Sequence, residues 1–343
     1  MRKLRVLVGL LISAAFLFLA LRGQDFEAVR DAFSQVNFWY LVPAILLYFA
    51  GLCVRAVRWK FLLKPIADVP ARTLLSVNAV GLMANNVLPL RTGEVVRAYA
   101  LSRKTPVTKS AGLATIAVER IFDGITMLLF ISLSALFVSL TSELRHVAVL
   151  AAIVFGVALV LIVLLAHGGE LRDRFLQIAL GYLPSSVEER AARMADSFIA
   201  GLGVFTNWRS LLLVGGTSII AWTFEASVYW VTAQAFGGEV ADVMGPAQTF
   251  LTTGIANLAT LVPSSPGYVG PFEAAVILVL SGALDLSREM ALSYAILVHA
   301  LLYFPVTIWG AIEWSRLHLT LRQVEELSAE TTDGPVATVG APQ

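Results

Sequence analysis

Charge is scarce in this chain: only 14% of its 343 residues are Asp, Glu, Lys or Arg, against 57% hydrophobic, where soluble domains carry about 25% charged residues. That balance excludes an ordinary soluble domain and makes the chain an integral membrane protein. Cysteine is nearly absent. Cys53 stands alone inside an apolar run, so neither an internal disulfide nor a cysteine metal site can be built. The four histidines, His146, His167, His299 and His318, have no metal-ligand spacing. There is no nucleophile elbow, Ser264 and Ser265 have no adjacent base, and no Walker loop exists to bring in ATP. The net charge of +1 comes from basic residues scattered over short loops, which gives no surface for nucleic acid. No cofactor and no metal is expected.

What is present is a series of apolar runs. About 20 apolar residues cross a hydrocarbon core of roughly 30 Å, and by that measure spans are expected at 4–21, 38–57, 121–140, 147–166, 211–235 and 291–313. Arg2, Lys3 and Arg5 before the first run resemble a signal peptide. Without a small-x-small cleavage site the run reads as a retained first helix. Segments 73–90, 248–262 and 267–281 are shorter or more polar; 15 residues reach only about 22 Å. If they fold as hairpins returning to the side they came from, only Arg22, Arg30, Arg145 and Arg288 face outward. The other basic residues, Arg55 and Arg58 among them, collect on the cytoplasmic side with both termini. The fold class expected is all-α: a polytopic membrane protein with about six full transmembrane helices and two re-entrant or short-helix hairpins. They form an inverted repeat of 38–140 and 211–313, within a membrane domain of 1–322. Between the halves, 170–205 reads as a cytoplasmic amphipathic linker, with a capping box at Ser186 and Glu189 and Val187, Ala191, Met194, Phe198 and Leu202 on one face. The tail 323–343 reads as disordered.

Two stretches stand out. Gly81–Asp123 breaks at Pro89, then places Arg91, Gly93, Glu94 and Arg97, and ends on Glu119, Arg120 and Asp123; Gly254–Glu273 repeats the order of Gly, Asn, a proline break, Gly and Glu. Backbone can break inside a membrane only where protein or a wet cavity satisfies it. Helices restarting after Pro89 and at Gly270–Pro271 would point free N–H groups at an anion, and Arg91, Arg97 and Arg120 are placed to hold a phosphate. Each has a plainer reading: tight turns, loop charge, or an ion pair with Glu94. Glu119 and Asp123 are either a charged helix end or an intramembrane pair at i, i+4. Glu225 and Glu273 are intramembrane acids by position, suited to a coupling ion or an arginine partner, with dipole compensation as the simpler role for Glu273. Asn85, Asn86 and Asn257 line a polar path or bond neighbouring helices. His299 reads as a packed core histidine.

Asn85-Asn86-Val87-Leu88-Pro89, then Arg91, Gly93, Glu94, Arg97 and Tyr99, Ala114-Thr115, Glu119-Arg120 and Asp123, and the run Pro263 to Glu273 (PSSPGYVGPFE) resemble the membrane domain of lysylphosphatidylglycerol synthases. They also resemble its stand-alone relatives, the flippase-like integral membrane protein family. The resemblance covers about residues 5–320. It implies a plasma-membrane lipid translocase moving an anionic or aminoacylated phospholipid, or a polyprenyl-phosphate-linked lipid, between leaflets. The soluble aminoacyltransferase domain of the fused synthases is not expected here, so the reading is transporter-like and no catalytic residue is assigned. The substrate-binding set expected is Arg91, Arg97, Arg120, Glu94, Glu119, Asp123, Asn85, Asn86, Gly93, Ser264, Ser265, Gly267, Gly270 and Glu273. Two alternatives stand beside it: an intramembrane enzyme acting on a lipid-linked phosphate through Glu119 and Asp123, and a non-catalytic membrane subunit of a glycosyltransferase pathway. The partners implied are a membrane lipid and a glycosyltransferase or lipid-modifying enzyme.

Overall fold

The computed structural model describes residues 26–88, 92–181, 185–262 and 265–317, together with Leu11 and Phe18. The rest of the expected first span 4–21, Pro89, Arg91, Pro263, Ser264 and the tail 323–343 lie outside the described residues.

In chain order, α1 (Phe26–Ser34) leads through a 3-10 turn into α2 (Leu41–Leu63), followed by α3 (Ala71–Val87), α4 (Gly93–Lys104) and α5 (Lys109–Ser134). Next come α6 (Ser142–His167), α7 (Glu170–Gly181) and α8 (Ser185–Gly201). The second half holds α9 (Trp208–Phe236), α10 (Gly238–Val243), α11 (Pro246–Ala259), α12 (Pro271–Gly282) and α13 (Arg288–Arg316). No strand occurs among the described residues. The ends follow local chemistry. Side-chain oxygens of Thr108, Thr141 and Ser287 accept from Ala111, Leu144 and Met290 N–H and start α5, α6 and α13. Leu88 turns extended after α3, as a residue before proline is pushed to do.

Among the described residues, four helices are long and apolar enough to cross a membrane: Phe38–Leu63, Ser142–His167, Trp208–Phe236 and Arg288–Arg316. α5 matches them in length at 26 residues but carries Glu119, Arg120 and Asp123 within it. The span expected at 121–140 therefore starts earlier and ends at Ser134, and 38–57 runs on to Leu63. The chain is an all-α polytopic membrane protein.

Three long contacts organise the packing: α9 along α2, α13 along α3, and α11 along α5. α6 lies on the outside. Leu144, Phe155 and Ile162 are its buried residues, while Val149, Leu150, Ile153, Val154, Val157 and Leu161 point outward, as on a helix bathed in lipid. The end of the linker is anchored: Phe198, Leu202, Val204 and Phe205 join the apolar cluster around α5, while Met194, expected on that face, is exposed. Val187 lies among the side chains outside the description.

Candidate functional site: a paired-charge core beside two chambers

α2, α5 and α9 present matching rows of polar residues three or four apart, the spacing that lines one helix face. α2 gives Arg55 and Arg58, α5 gives Glu119 and Asp123, and α9 gives Ser218, Trp222 and Glu225. Where the rows meet they interlock. Fully buried Arg58 reaches Asp123 at 2.6 Å, Glu119 at 3.2 Å and the Ser218 hydroxyl at 2.8 Å. Trp222 donates its indole N–H to the same Asp123 oxygen at 2.7 Å. One step along, Arg55 pairs with Glu225 and stacks on Trp222 at 4.4 Å from the ring centroid. Burying a single unpaired charge in such a place would cost several kcal/mol, so each acid is held by a guanidinium.

The short α3–α4 hairpin closes the network from above. Arg97 binds Glu119 through both nitrogens at 2.7 and 2.8 Å and lies 3.8 Å over the Trp59 ring. Trp59 is itself fixed by Thr115 at 3.0 Å. α3 and α4 approach so closely that a Cβ on Gly93 would overlap the Gly81 carbonyl and the Asn85 amide. Asn85 accepts from the Gly93 N–H at 2.8 Å and donates to Glu94 at 3.3 Å.

Arg120 differs from the other three arginines. Its side chain is 35% exposed, and its contacts to Glu119 and Asp123 are long, 3.4 and 3.3 Å. It borders both chambers that open beside the network. The smaller is lined by Arg55, Asn78, Gly81, Asn85, Glu94, Arg97 and Arg120 among others. The larger is lined by Tyr48, Arg55, Asn85, Asn86, Arg120, Trp222, Glu225, Asn257, Tyr268, Phe272, His299 and Tyr303 among others. They share Arg55, Leu82, Asn85 and Arg120.

The second hairpin forms the far wall of the larger chamber. Gly270 caps α12 and its N–H donates to Glu273 at 2.7 Å; the other Glu273 oxygen meets His299 Nδ1, and His299 Nε2 meets the Gly267 carbonyl at 2.8 Å. Gly267 has φ +73°, a turn that favours glycine. Asn86 bridges to α13 through Thr307 at 2.8 Å and accepts at its carbonyl from the Tyr303 hydroxyl at 3.2 Å.

The expected residues therefore fall into groups. Arg97, Glu119, Asp123 and Arg120 meet in one network, with Asn85, Gly93 and Glu94 beside it. Asn86, Gly267, Gly270 and Glu273 belong to the opposite wall, with Ser265 in the turn before Gly267. Arg91 and Ser264 lie outside the described residues. The Gly93 and Gly270 N–H groups, expected to face an anion, are already bonded to Asn85 and Glu273. The fork of Arg97 is likewise spent on Glu119.

Arg55, Arg58 and His299 are corrections. The sequence count set the two arginines among loop charges, yet both sit in the last three turns of α2 against acids of α5 and α9. The signal was there, two arginines three apart inside the otherwise apolar LCVRAVRW. His299 bonds at both ring nitrogens on a chamber wall instead of packing in a dry core. No cluster of three or more metal-binding side chains occurs among the described residues.

A family model described as the lysylphosphatidylglycerol synthase TM region matches residues 6–310. Glycosyltransferase AglD of Haloferax volcanii is 25% identical over 97% of this chain, and the chain spans 57% of that protein's length. A UPF0104 membrane protein of Methanothermobacter thermautotrophicus is 22% identical over 81% of this chain and 84% of its own length. Another from Methanocaldococcus jannaschii is 23% identical over 88% and 92%. With the match running from residue 6 into α13, the chain belongs to the lysylphosphatidylglycerol synthase transmembrane-region family.

Proposed function

We propose that this protein moves a lipid with an anionic head group between leaflets, the head group passing through the two chambers while its tails stay in the bilayer. The observation that carries the reading is Arg120: of the two guanidiniums that line both chambers, Arg55 is closely paired with Glu225, while Arg120 has only long contacts to its acids and a third of its side chain exposed. An arginine held this way offers a phosphate a two-pronged contact. Its fixed neighbours would keep the site from collapsing onto it.

The division of labour follows. Arg58 and Arg97 hold Glu119 and Asp123, those two acids orient Arg120, and Arg120 meets the head group. Asn85, Asn86, Asn257 and the hydroxyls of Tyr48, Tyr268 and Tyr303 supply neutral hydrogen bonds around it. The inverted-repeat arrangement is part of this proposal. It is supported by a broken-helix hairpin in each half, α3–α4 and α11–α12, set between longer helices.

The enzyme reading through Glu119 and Asp123 gains less support, because both carboxylates are buried and committed to arginines. A role beside a glycosyltransferase draws on one observation, that a relative bearing that name is nearly twice as long as the stretch it shares with this chain.

The test is reconstitution. Purified protein in liposomes should move one class among labelled phosphatidylglycerol, lysylphosphatidylglycerol and polyprenyl phosphates across the bilayer faster than empty vesicles. Equal rates for every class with and without protein would overturn the proposal.

A further inference from the structure

His299 has a hydrogen-bond acceptor at each ring nitrogen. The Gly267 carbonyl, 2.8 Å from Nε2, can only accept, so Nε2 must carry a hydrogen. At Nδ1 stands Glu273 Oε1, while Glu273 Oε2 is occupied by the Gly270 N–H. Closing the Nδ1 contact requires a second hydrogen, on the ring or on the carboxyl. The pair therefore holds one proton more than a carboxylate beside a neutral imidazole.

Without that proton the three groups cannot all be satisfied. The single ring hydrogen must choose between a carboxylate and a neutral carbonyl, and the charge-assisted bond to the carboxylate is the stronger. The Gly267 carbonyl is then left unbonded against a ring lone pair. It belongs to a turn that is already strained, since Tyr268 follows with φ +62°, a region that costs a side-chain-bearing residue of order 1 kcal/mol or more. The aromatic ring of Tyr303 packs against Gly267, and Tyr268 lines the larger chamber. Releasing one carbonyl thus frees a strained turn on the chamber wall.

We infer that Glu273 and His299 form a proton-binding site whose occupancy fixes the turn 265–270, and that this couples lipid passage to a proton gradient. The coupling clause rests on the translocase reading; the proton site does not. The other charged and titratable groups facing the same chamber are Tyr48 and Arg55 from α2, Arg120 from α5, Glu225 from α9, Tyr268 in the turn and Tyr303 on the helix of His299 itself. Of these, Arg55 and Glu225 pair with each other and Arg120 leans on Glu119 and Asp123, and a tyrosine hydroxyl ordinarily keeps its proton near neutral pH, so the dyad is the group on this wall with a proton to exchange. The proton enters from and leaves to chamber water.

Hydrogen exchange of peptides covering residues 265–273, measured in detergent across a pH series and divided by the intrinsic rate, tests the site without any transport. The native protein should show a step of roughly tenfold in protection, the size of one hydrogen bond, with protection lost as pH rises. Glu273→Gln should abolish the step and stay protected throughout, because an amide donates to Nδ1 permanently while its oxygen still accepts from Gly270. No step in the native protein overturns the proton site, whatever the variants do. In liposomes, an imposed pH gradient should change lipid movement several-fold in the native protein and not in Glu273→Gln. A step in exchange with gradient-independent movement overturns the coupling. A step with no lipid movement at all upholds the proton site and overturns the translocase reading.

Discussion

Arg97 grips both oxygens of Glu119 while its guanidinium lies 3.8 Å over the indole of Trp59. This one contact ties the short α3–α4 hairpin to the long helices α2 and α5, so it holds the upper wall of the smaller chamber in place. Breaking a buried ion pair by removing one partner costs about 3–5 kcal/mol. Glu119 keeps Arg58 at 3.2 Å and Arg120 at 3.4 Å, which puts Arg97→Ala near the lower end. Arg97→Lys, which keeps the charge and loses fork and stack, should cost about 1–2 kcal/mol. Thermal unfolding in detergent should rank native above Lys above Ala.

Arg58 and Arg120 touch the same two acids but differ in exposure, 0% against 35% of the side chain. Arg58→Ala takes from buried Asp123 its closest guanidinium, leaving Trp222 and the longer Arg120 contact, and takes from Glu119 one of its three arginines; it should lose about 3–5 kcal/mol, with poor yield from the membrane. Arg120→Ala gives up long, partly solvated contacts and should cost no more than about 1 kcal/mol. Equal melting losses in the two variants would contradict this division between a structural and a substrate-facing arginine.

Gly93 sits where two backbones meet. A methyl group there would overlap the Gly81 carbonyl and the Asn85 amide, so Gly93→Ala should cost about 1–3 kcal/mol by overpacking. The corresponding change at Gly216, where a Cβ meets nothing within 4 Å, should leave the melting temperature unchanged or raise it slightly.

Cys53 is exposed on α2, on the same stripe as the exposed Val42, Leu46 and Val57, a face expected to meet lipid. A membrane-permeant apolar maleimide should label it in intact membranes, and a sulfonated one should not. Comparable labelling by both would mean that this face meets water.

Much of the architecture was legible because apolar length is a strong signal: the long helices and the two proline-broken hairpins could be read from composition and spacing. For the acids of α5 the sequence leaves two readings, a charged helix end or a pair within the helix, and both prove to lie well inside α5. Arg55 and Arg58 were not legible. They fall at the end of an apolar run, where an arginine at the interface and an arginine turned inward read alike. Their partners Glu225 and Asp123 lie 170 and 65 residues away. His299 was missed for a similar cause, since its two acceptors come from a turn and a helix start that only folding brings to α13. Gly93 and Gly270 were read as anion sites from the restarted helices alone; that Asn85 and Glu273 fill those N–H groups depends on side-chain reach, which helix positions do not fix.

Lipid movement by Arg120→Ala bears most directly on the central claim. In liposomes with the protein's insertion and melting verified, the variant should lose at least about tenfold of the native rate for the transported lipid, the share one charge-assisted phosphate contact supplies. A native rate from a correctly folded Arg120→Ala protein would take the guanidinium out of the path and contradict the account built on it.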